Sequence, residues 1–377
     1  MNEHAKALID EVEAEARKGA VQDEQTILQL VKLESTSEAT AYLIERARAF
    51  ALEVTSGKAR IAGAIGVDLA PCKMNCKFCS FGDEWGLVRE KSILSKEQVV
   101  EMARAYVEAG VSMVTLRTTE FYDLNVINDW VRAIRESVPG VYEINLNVGE
   151  LTPEMCNACY EAGVSSAYHV LRMREGIDTP FDPEVRKRTI RTIVDSPLKW
   201  NTCIEPIGRE HTDEEIAERM AFVCSLRPHS IGIMPRVPVP GTPLGDIPML
   251  DRQRMRHLVA VLRLAAGSTV PYVTMHPDDA LGLEAGTNGF SVERGAVPRD
   301  TKYSDGEWRG LTAARAVEIL RESGYEVGIL NCDPRFKEGA RWWSPRTATA
   351  VETPSYIGDD DVEYLRGSDG PIPLKLR

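Results

Sequence analysis

Three cysteines within eight residues set the chemistry open to this chain. Pro71-Cys72-Lys73-Met74-Asn75-Cys76-Lys77-Phe78-Cys79 spaces them as Cys-x3-Cys-x2-Cys. The run before them, Ile61-Ala-Gly-Ala-Ile-Gly-Val-Asp-Leu-Ala70, has the character of a buried strand. The thiols therefore belong to the loop that leaves the C-terminal end of that strand. A core strand or helix would send three such neighbours in different directions, whereas a loop can gather them. Soft thiolates gathered in one place suit iron–sulfur or zinc. Structural zinc takes four ligands, and no fourth Cys or His lies nearby in the chain. Three cysteines on a [4Fe–4S] cluster instead leave one iron open to a small molecule. A zinc knuckle completed by a remote ligand, or plain reduced thiols, are the competing readings.

The spacing, with the aromatic Phe78 just before the third cysteine, resembles the signature of the radical S-adenosylmethionine (radical SAM) enzymes. That resemblance implies that the open iron binds the amino and carboxylate groups of SAM. One electron then cleaves the sulfonium to give a 5′-deoxyadenosyl radical, which abstracts hydrogen from a substrate.

The elements around the loop are read from periodicity. Residues 4–53 carry apolar side chains at helical spacing, broken near Lys18-Gly19 and Ser35-Thr36-Ser37, which predicts two or three helices forming a cap. From Ile61 on, short apolar strands alternate with amphipathic helices. Strands are expected at 61–69, 111–117, 141–147, 164–171, 199–207, 229–237, 270–275 and 287–291. Helices are expected near 96–109, 125–136, 153–162, 183–195, 213–226, 251–265, 278–285 and 311–323. Eight β-then-α units predict an α/β fold, a parallel (β/α)8 TIM-type barrel. Glu108-Ala-Gly-Val-Ser112 recurs as Glu161-Ala-Gly-Val-Ser165, each ending a helix, with Gly110 and Gly163 as left-handed stops. The expected domains are an N-terminal helical cap (1–58), the barrel (59–325) and an irregular C-terminal extension (326–377) packed on the barrel through Trp342 and Trp343.

Composition narrows the partners. The 377 residues are 43% hydrophobic and 27% charged, as in ordinary globular proteins. A net charge of −12 argues against a nucleic-acid backbone or an anionic membrane as the main partner. The eight cysteines are clustered rather than spread as in a secreted framework, so a reducing, cytoplasmic location is expected. The charged start Met1-Asn-Glu-His-Ala-Lys6 does not read as a signal peptide, and no apolar run approaches the ~18 residues of a spanning helix.

In such barrels the active site lies at the C-terminal ends of the strands. After the second strand comes Arg117-Thr118-Thr119-Glu120, where radical SAM enzymes carry a Gly-Gly-Glu-like segment that holds the SAM amino group. Here both glycines are Thr, which leaves Glu120 as the residue best transferred. In the third strand Glu143, Asn145 and Asn147 share one face. A polar stripe inside a barrel needs a ligand or an internal partner, so SAM ribose or substrate contact is expected. The fourth strand brings His169, Arg172 and Arg174, candidates for an anionic substrate or the SAM carboxylate. Asp182-Pro183 opens the next helix, and the resemblance places the carboxylate clamp at Arg186, with Arg188 as second choice.

Asn201-Thr-Cys203-Ile-Glu205-Pro-Ile-Gly208 and Pro235-Arg-Val237-Pro-Val-Pro-Gly241 resemble the biotin synthase-like subgroup, which includes biotin synthase, the hydrogenase maturase, methylornithine synthase and paired barrel lipoyl synthases. The likeness covers roughly residues 40–325. Gly208 and Gly241 would let backbone approach a ligand, and Val237 is expected against the cofactor. Biotin synthase adds a [2Fe–2S] cluster on three cysteines and an arginine. Only Cys203 matches here, with Thr118 or Thr119 and Asn145 at the other positions and no arginine near His276. Cys332 is the second candidate for an auxiliary cluster. Cys156, Cys159 and Cys224 read as packing residues, His276 as a substrate or catalytic candidate, and Arg299 as a substrate-orienting group. The resemblance implies sulfur insertion in cofactor biosynthesis as the first expectation, with carbon-skeleton rearrangement or metallocofactor maturation as alternatives. A non-catalytic iron–sulfur or zinc protein is the reading from another class. It further implies a small-molecule or carrier-bound substrate, a flavodoxin or ferredoxin as low-potential electron donor, and a paired radical SAM protein as a conceivable partner.

Overall fold

The computed structural model describes residues 2–120, 122–278, 280–304, 311–330 and 335, and the backbone of an antiparallel pair, Val362–Gly367 with Gly370–Lys375. Cys332, Trp342 and Trp343 lie outside the described residues, and with them the expected packing of the C-terminal extension.

Eight parallel strands form the barrel: β1 (Lys58–Gly66), β2 (Met113–Arg117), β3 (Glu143–Asn147), β4 (Ser166–Tyr168), β5 (Lys199–Ile207), β6 (Ser230–Pro235), β7 (Tyr272–Met275) and β8 (Gly289–Gly295). Their order is β8-β1-β2-β3-β4-β5-β6-β7, each hydrogen-bonded to the next. The seam between β7 and β8 is bridged by Asn288. Its backbone N–H donates to Val273 O (2.9 Å), its Oδ1 accepts from Val273 N (2.9 Å), and its Nδ2 donates to Pro271 O (2.9 Å) and Lys58 O (3.2 Å).

Three helices precede the barrel: α1 (Glu3–Arg17), α2 (Glu24–Val31) and α3 (Glu38–Val54). They pack on its outer wall, sharing one apolar core with it through Ile9, Leu30 and Phe50. His257 and Arg254 of a later helix hold α2 by its last carbonyls, Leu30 O (2.9 Å) and Val31 O (2.7 Å). Between strands run α4 (Lys96–Glu108), α5 (Leu124–Ser137), α6 (Pro153–Ala162), α7 (Pro183–Val194), α8 (Asp213–Ser225), α9 (Arg252–Ala266) and the short α10 (Ala280–Glu284), with α11 (Ala313–Glu322) after β8. Capping explains the sharpness of their starts: Ser95 with Gln98 and Thr212 with Glu215 close capping boxes, and Pro183 follows the N-cap Asp182.

The repeated Glu-Ala-Gly-Val-Ser is a helix stop fused to a strand clamp. Gly110 and Gly163 have φ of 88° and 106°. Val111 N donates to Tyr106 O and Val164 N to Cys159 O (both 3.0 Å), the outer bond of a Schellman motif. Each serine then ties down the strand before it: Ile61 N donates to Ser112 Oγ (3.3 Å) and Ile144 N to Ser165 Oγ (3.2 Å).

Most expected bounds fall within a few residues of these elements. The fourth strand is the clear departure, three residues rather than 164–171. Beyond Tyr168 the apolar residues Val170, Leu171 and Met173 stay buried but irregular, tied to β5 by His169 N to Asn201 O (3.1 Å) and Met173 N to Glu205 O (2.8 Å).

A TIM-type barrel usually fills its interior with branched apolar side chains. Here Ala62, Ala64 and Gly232 are small, and Thr115, Asn145, Ser166, Asn201, Ser230, Thr274 and Ser291 are polar. The interior remains an open cavity of about 300 Å³.

Candidate active site

The cluster loop is held in shape by its own backbone. Cys72 N donates to Phe81 O (2.6 Å), Asp83 N to Cys72 O (3.1 Å) and Cys79 N to Cys76 O (3.0 Å). Asn75, in the left-handed region at φ 47°, accepts from Glu84 N (3.0 Å), and Trp85 Nε1 donates to Cys76 O (3.3 Å). Ser80 ties the loop to the exit of β8 through Pro298 O (2.9 Å) and Asp300 O (2.7 Å). Cys72, Cys76 and Cys79 all line the mouth of the cavity, as does Phe78. Burial raises all three thiol pKa values, that of Cys72 to about 12, while the nearby Arg172 works the other way at Cys76 and Cys79. A tetrahedral zinc site at ~2.3 Å bonds would bring its sulfurs to ~3.8 Å from one another. Among the described residues the three sulfurs form no group within 4.8 Å. Their wider spacing suits a larger body than one zinc ion.

Two charged assemblies flank the mouth. On the β2–β4 side Glu120 lines the cavity, and its carboxylate is 3.0 Å from Arg186 Nη2. Arg186 is shared with Glu150 (2.9 Å), which also meets His169 Nε2 (3.2 Å) and the hydroxyl of Thr189. Burial lowers the His169 pKa, so the set holds one guanidinium against two carboxylates. Burial opposes the charge on Glu150, yet His169 and Arg186 more than offset it and bring its pKa to about 2. Phe181 covers Arg186, its ring centroid 3.6 Å from the guanidinium carbon, and it is Phe181 that lines the cavity. The guanidinium facing the cavity on this side is Arg172, half-buried and held by the nearby charges of Glu175, Glu205 and Glu120. Arg174 turns outward to Glu215 (2.9 Å).

On the β7–β8 side Glu293 collects Arg117 (2.5 Å), Arg299 (2.5 Å) and His276 (3.1 Å). These cations take its pKa well below the carboxylate range against the cost of burial. Burial would lower the His276 pKa, but Glu293 and Asp278 raise it to about 9.

Thr119 is occupied by a residue outside the expected set. Its N–H (2.8 Å) and hydroxyl both donate to the buried Asp68, whose pKa burial raises to about 6 despite those bonds. Thr118 and Asn147 line the cavity beside it. Asn145 lies deeper, bonded to Thr115 (3.2 Å), Ser166 (2.9 Å) and Asn201 (2.9 Å). Cys203 and Val237 line the far wall, Cys203 beside Glu205 and Tyr168.

Some expected site residues are elsewhere. Glu143 shares the parity of Asn145 but closes the opposite end of the barrel, 2.6 Å from Lys199 and 3.6 Å from His229. The close approach at Gly208 is to protein: a Cβ there would lie 2.3 Å from Arg236 Nη1 and from Glu210. Gly241, at φ 91°, turns against Leu87. Cys156, Cys159 and Cys224 are buried in the outer core. Glu150, Asp68, Arg117, Glu205 and Glu293 escaped sequence reasoning because each is a lone charged residue within an apolar or turn-rich context. Glu293 follows Ser291 in alternation, which an expected strand extended past 291 would have exposed.

No protein-family model matches the chain. It is 26% identical over 313 residues to the biotin synthase of Parafrankia sp. (strain EAN1pec), covering 78% of this chain and 85% of that one. It is 29% identical over 250 residues to the biotin synthase of Alkalilimnicola ehrlichii, covering 63% and 71%. Its fold matches the crystal structure of methylornithine synthase with TM-score 0.70 and 17% identity, covering 84% of this chain and 97% of that one. It also matches the FeFe-hydrogenase maturase HydG from Carboxydothermus hydrogenoformans with TM-score 0.71 and 17% identity, covering 88% and 82%. Three thiols at the mouth of a hollow parallel barrel, together with the similarity to biotin synthases, support a radical SAM enzyme of the biotin synthase-like kind.

Proposed function

We propose that this enzyme abstracts hydrogen from a small polar molecule inside the barrel and converts it without consuming the sulfur of a second cluster, as in a carbon-skeleton rearrangement. The observation that carries this reading is the wall of the cavity. Beyond the three mouth cysteines, Cys203 is the one thiol lining it among the described residues, and deeper in the barrel Asn145, Ser166 and Asn201 bond to one another, with Asn201 Oδ1 left without a partner. A single thiol does not hold an auxiliary cluster.

Cys72, Cys76 and Cys79 would hold the [4Fe–4S] cluster, which when bound supplies the electron that cleaves SAM to a 5′-deoxyadenosyl radical. Glu120 would receive the SAM ammonium, since Arg186 behind it is shared with Glu150 and leaves negative charge to spare. Arg172, at the cavity surface, is better placed than Arg186 to take the carboxylate as a bidentate fork. Asn147, Thr118, Phe78 and Val237 would line the nucleoside. The enclosing strands keep water from the reacting carbon and hold it in line with its target. The reductant in this reading is a low-potential flavodoxin or ferredoxin.

Sulfur insertion is the second reading, favoured by Cys203 in the cavity wall, with Cys332 as the partner to test. Iron counting separates the two. Anaerobic reconstitution is expected to give about four irons per chain, all lost when Cys72, Cys76 and Cys79 are changed to Ala. Iron retained by that triple variant and lost on further change of Cys203 would move the assignment to sulfur insertion. Zinc uptake with no iron would overturn the radical reading.

A further inference from the structure

The floor of the cavity holds a charge that the proposed chemistry does not use. On β1 the residues facing inward are Arg60, Ala62 and Ala64. Arg60 is 4% exposed, and neither its Nε nor its Nη1 has a hydrogen-bond partner. Its guanidinium lies on the ring of Tyr272, 4.2 Å from the centroid. Glu143 is the acid nearest in influence, and it is already matched by Lys199 at 2.6 Å with His229 beside it. Among the described residues the floor therefore sets two cations, Arg60 and Lys199, against the one carboxylate of Glu143.

Burying a guanidinium without a partner costs several kcal/mol, and a purely structural position would be better filled by an apolar side chain of similar size. On the cavity side Ala62 and Ala64 above it are small, and the cavity reaches down to Arg60. The six steps from Arg60 to Gly66 span ~20 Å of strand, so Arg60 is at the end remote from the cluster loop. We infer that Arg60 is the anion site for the substrate, and that the substrate carries a carboxylate which passes the Asn145–Ser166–Asn201 layer and pairs with Arg60 on the floor. The carbon to be attacked then faces the mouth. This rests on the reading that a small molecule enters the barrel.

The test uses the reconstituted full chain and calorimetric titration with pentanoate, hexanoate, octanoate and 6-aminohexanoate, each against its amide. At least one acid is expected to bind the wild type about tenfold or more tighter than its amide, the worth of one charge-assisted hydrogen bond. Arg60→Met is expected to erase that preference and Arg60→Lys to keep part of it. Unliganded R60M should melt at or above the wild-type temperature, whereas a structural arginine would lower it. Equal binding of acid and amide, no binding of any acid up to ~10 mM, or an undiminished preference in R60M would overturn the assignment. Should R60M not fold, the acid–amide comparison in the wild type and R60K decides. Release of 5′-deoxyadenosine by the wild type is followed separately. Its absence would sink the radical reading while leaving the Arg60 result intact.

Discussion

Glu120 and Arg172 carry opposite charges into one cavity. Glu120→Gln should weaken SAM binding by about tenfold or more, because an amide no longer attracts an ammonium ion; equilibrium dialysis against SAM reads this directly, and unchanged affinity would remove Glu120 from the site. His276 makes a prediction in pH. Its pKa is raised from 6.5 to about 9, so its ion pairs stabilise the fold fully below pH 6.5 and are lost as pH rises through about 9. Melting temperature should fall by a few degrees between pH 7 and 10, and His276→Gln should flatten that slope. At this scale the sequence is legible where chemistry is concentrated, as at Cys72, Cys76 and Cys79, whose spacing is itself the signal. It is illegible where partners meet from distant strands: Glu150 joins Arg186, 36 positions on in the sequence, and Arg117 meets Glu293 from the far side of the chain. Arg60 left a trace in plain view, a charged residue at the inward parity of an otherwise small-residue strand.

Helices and strands were readable in proportion to how local their determinants are. Caps and glycine stops are written within four or five residues, so α4, α6, α7 and α8 fall where their boxes, prolines and glycines place them. The end of β4 is set by what β5 offers across the gap, which no local pattern records. Asn145 and Glu143 lie on one face of β3, yet one lines the cavity and the other pairs with Lys199 below it, because a barrel has depth that alternation ignores. The repeated stop makes its own prediction. Gly110→Ala should cost about 1 kcal/mol, since its φ of 88° strains a side chain even though the nearest atom to a new Cβ is 4.0 Å away. Urea denaturation would show the lowered midpoint with an unchanged slope, and an unshifted midpoint would contradict the strain argument.

Across the whole molecule the fold and the cluster site are separable. The cysteines stand on a loop fastened by backbone bonds at the barrel mouth, outside the main apolar core. The triple alanine variant should therefore keep its far-ultraviolet circular dichroism and melt within a few degrees of the wild-type apoprotein; a collapse would mean that the thiols pack the fold. One last consequence follows from the seam between β7 and β8. Every other junction of the barrel is a backbone ladder, which fixes its width. This one is closed low down by the backbone N–H and side chain of Asn288 and near the mouth by the pair His276–Glu293. The circumference can thus change at one place without a ladder breaking, and that place is flanked by Arg299. A guest too wide for the resting cavity would be admitted there. The Val273 and Asn288 amides should then exchange with deuterium sooner than those of β1 or β2, and sooner still above pH 9.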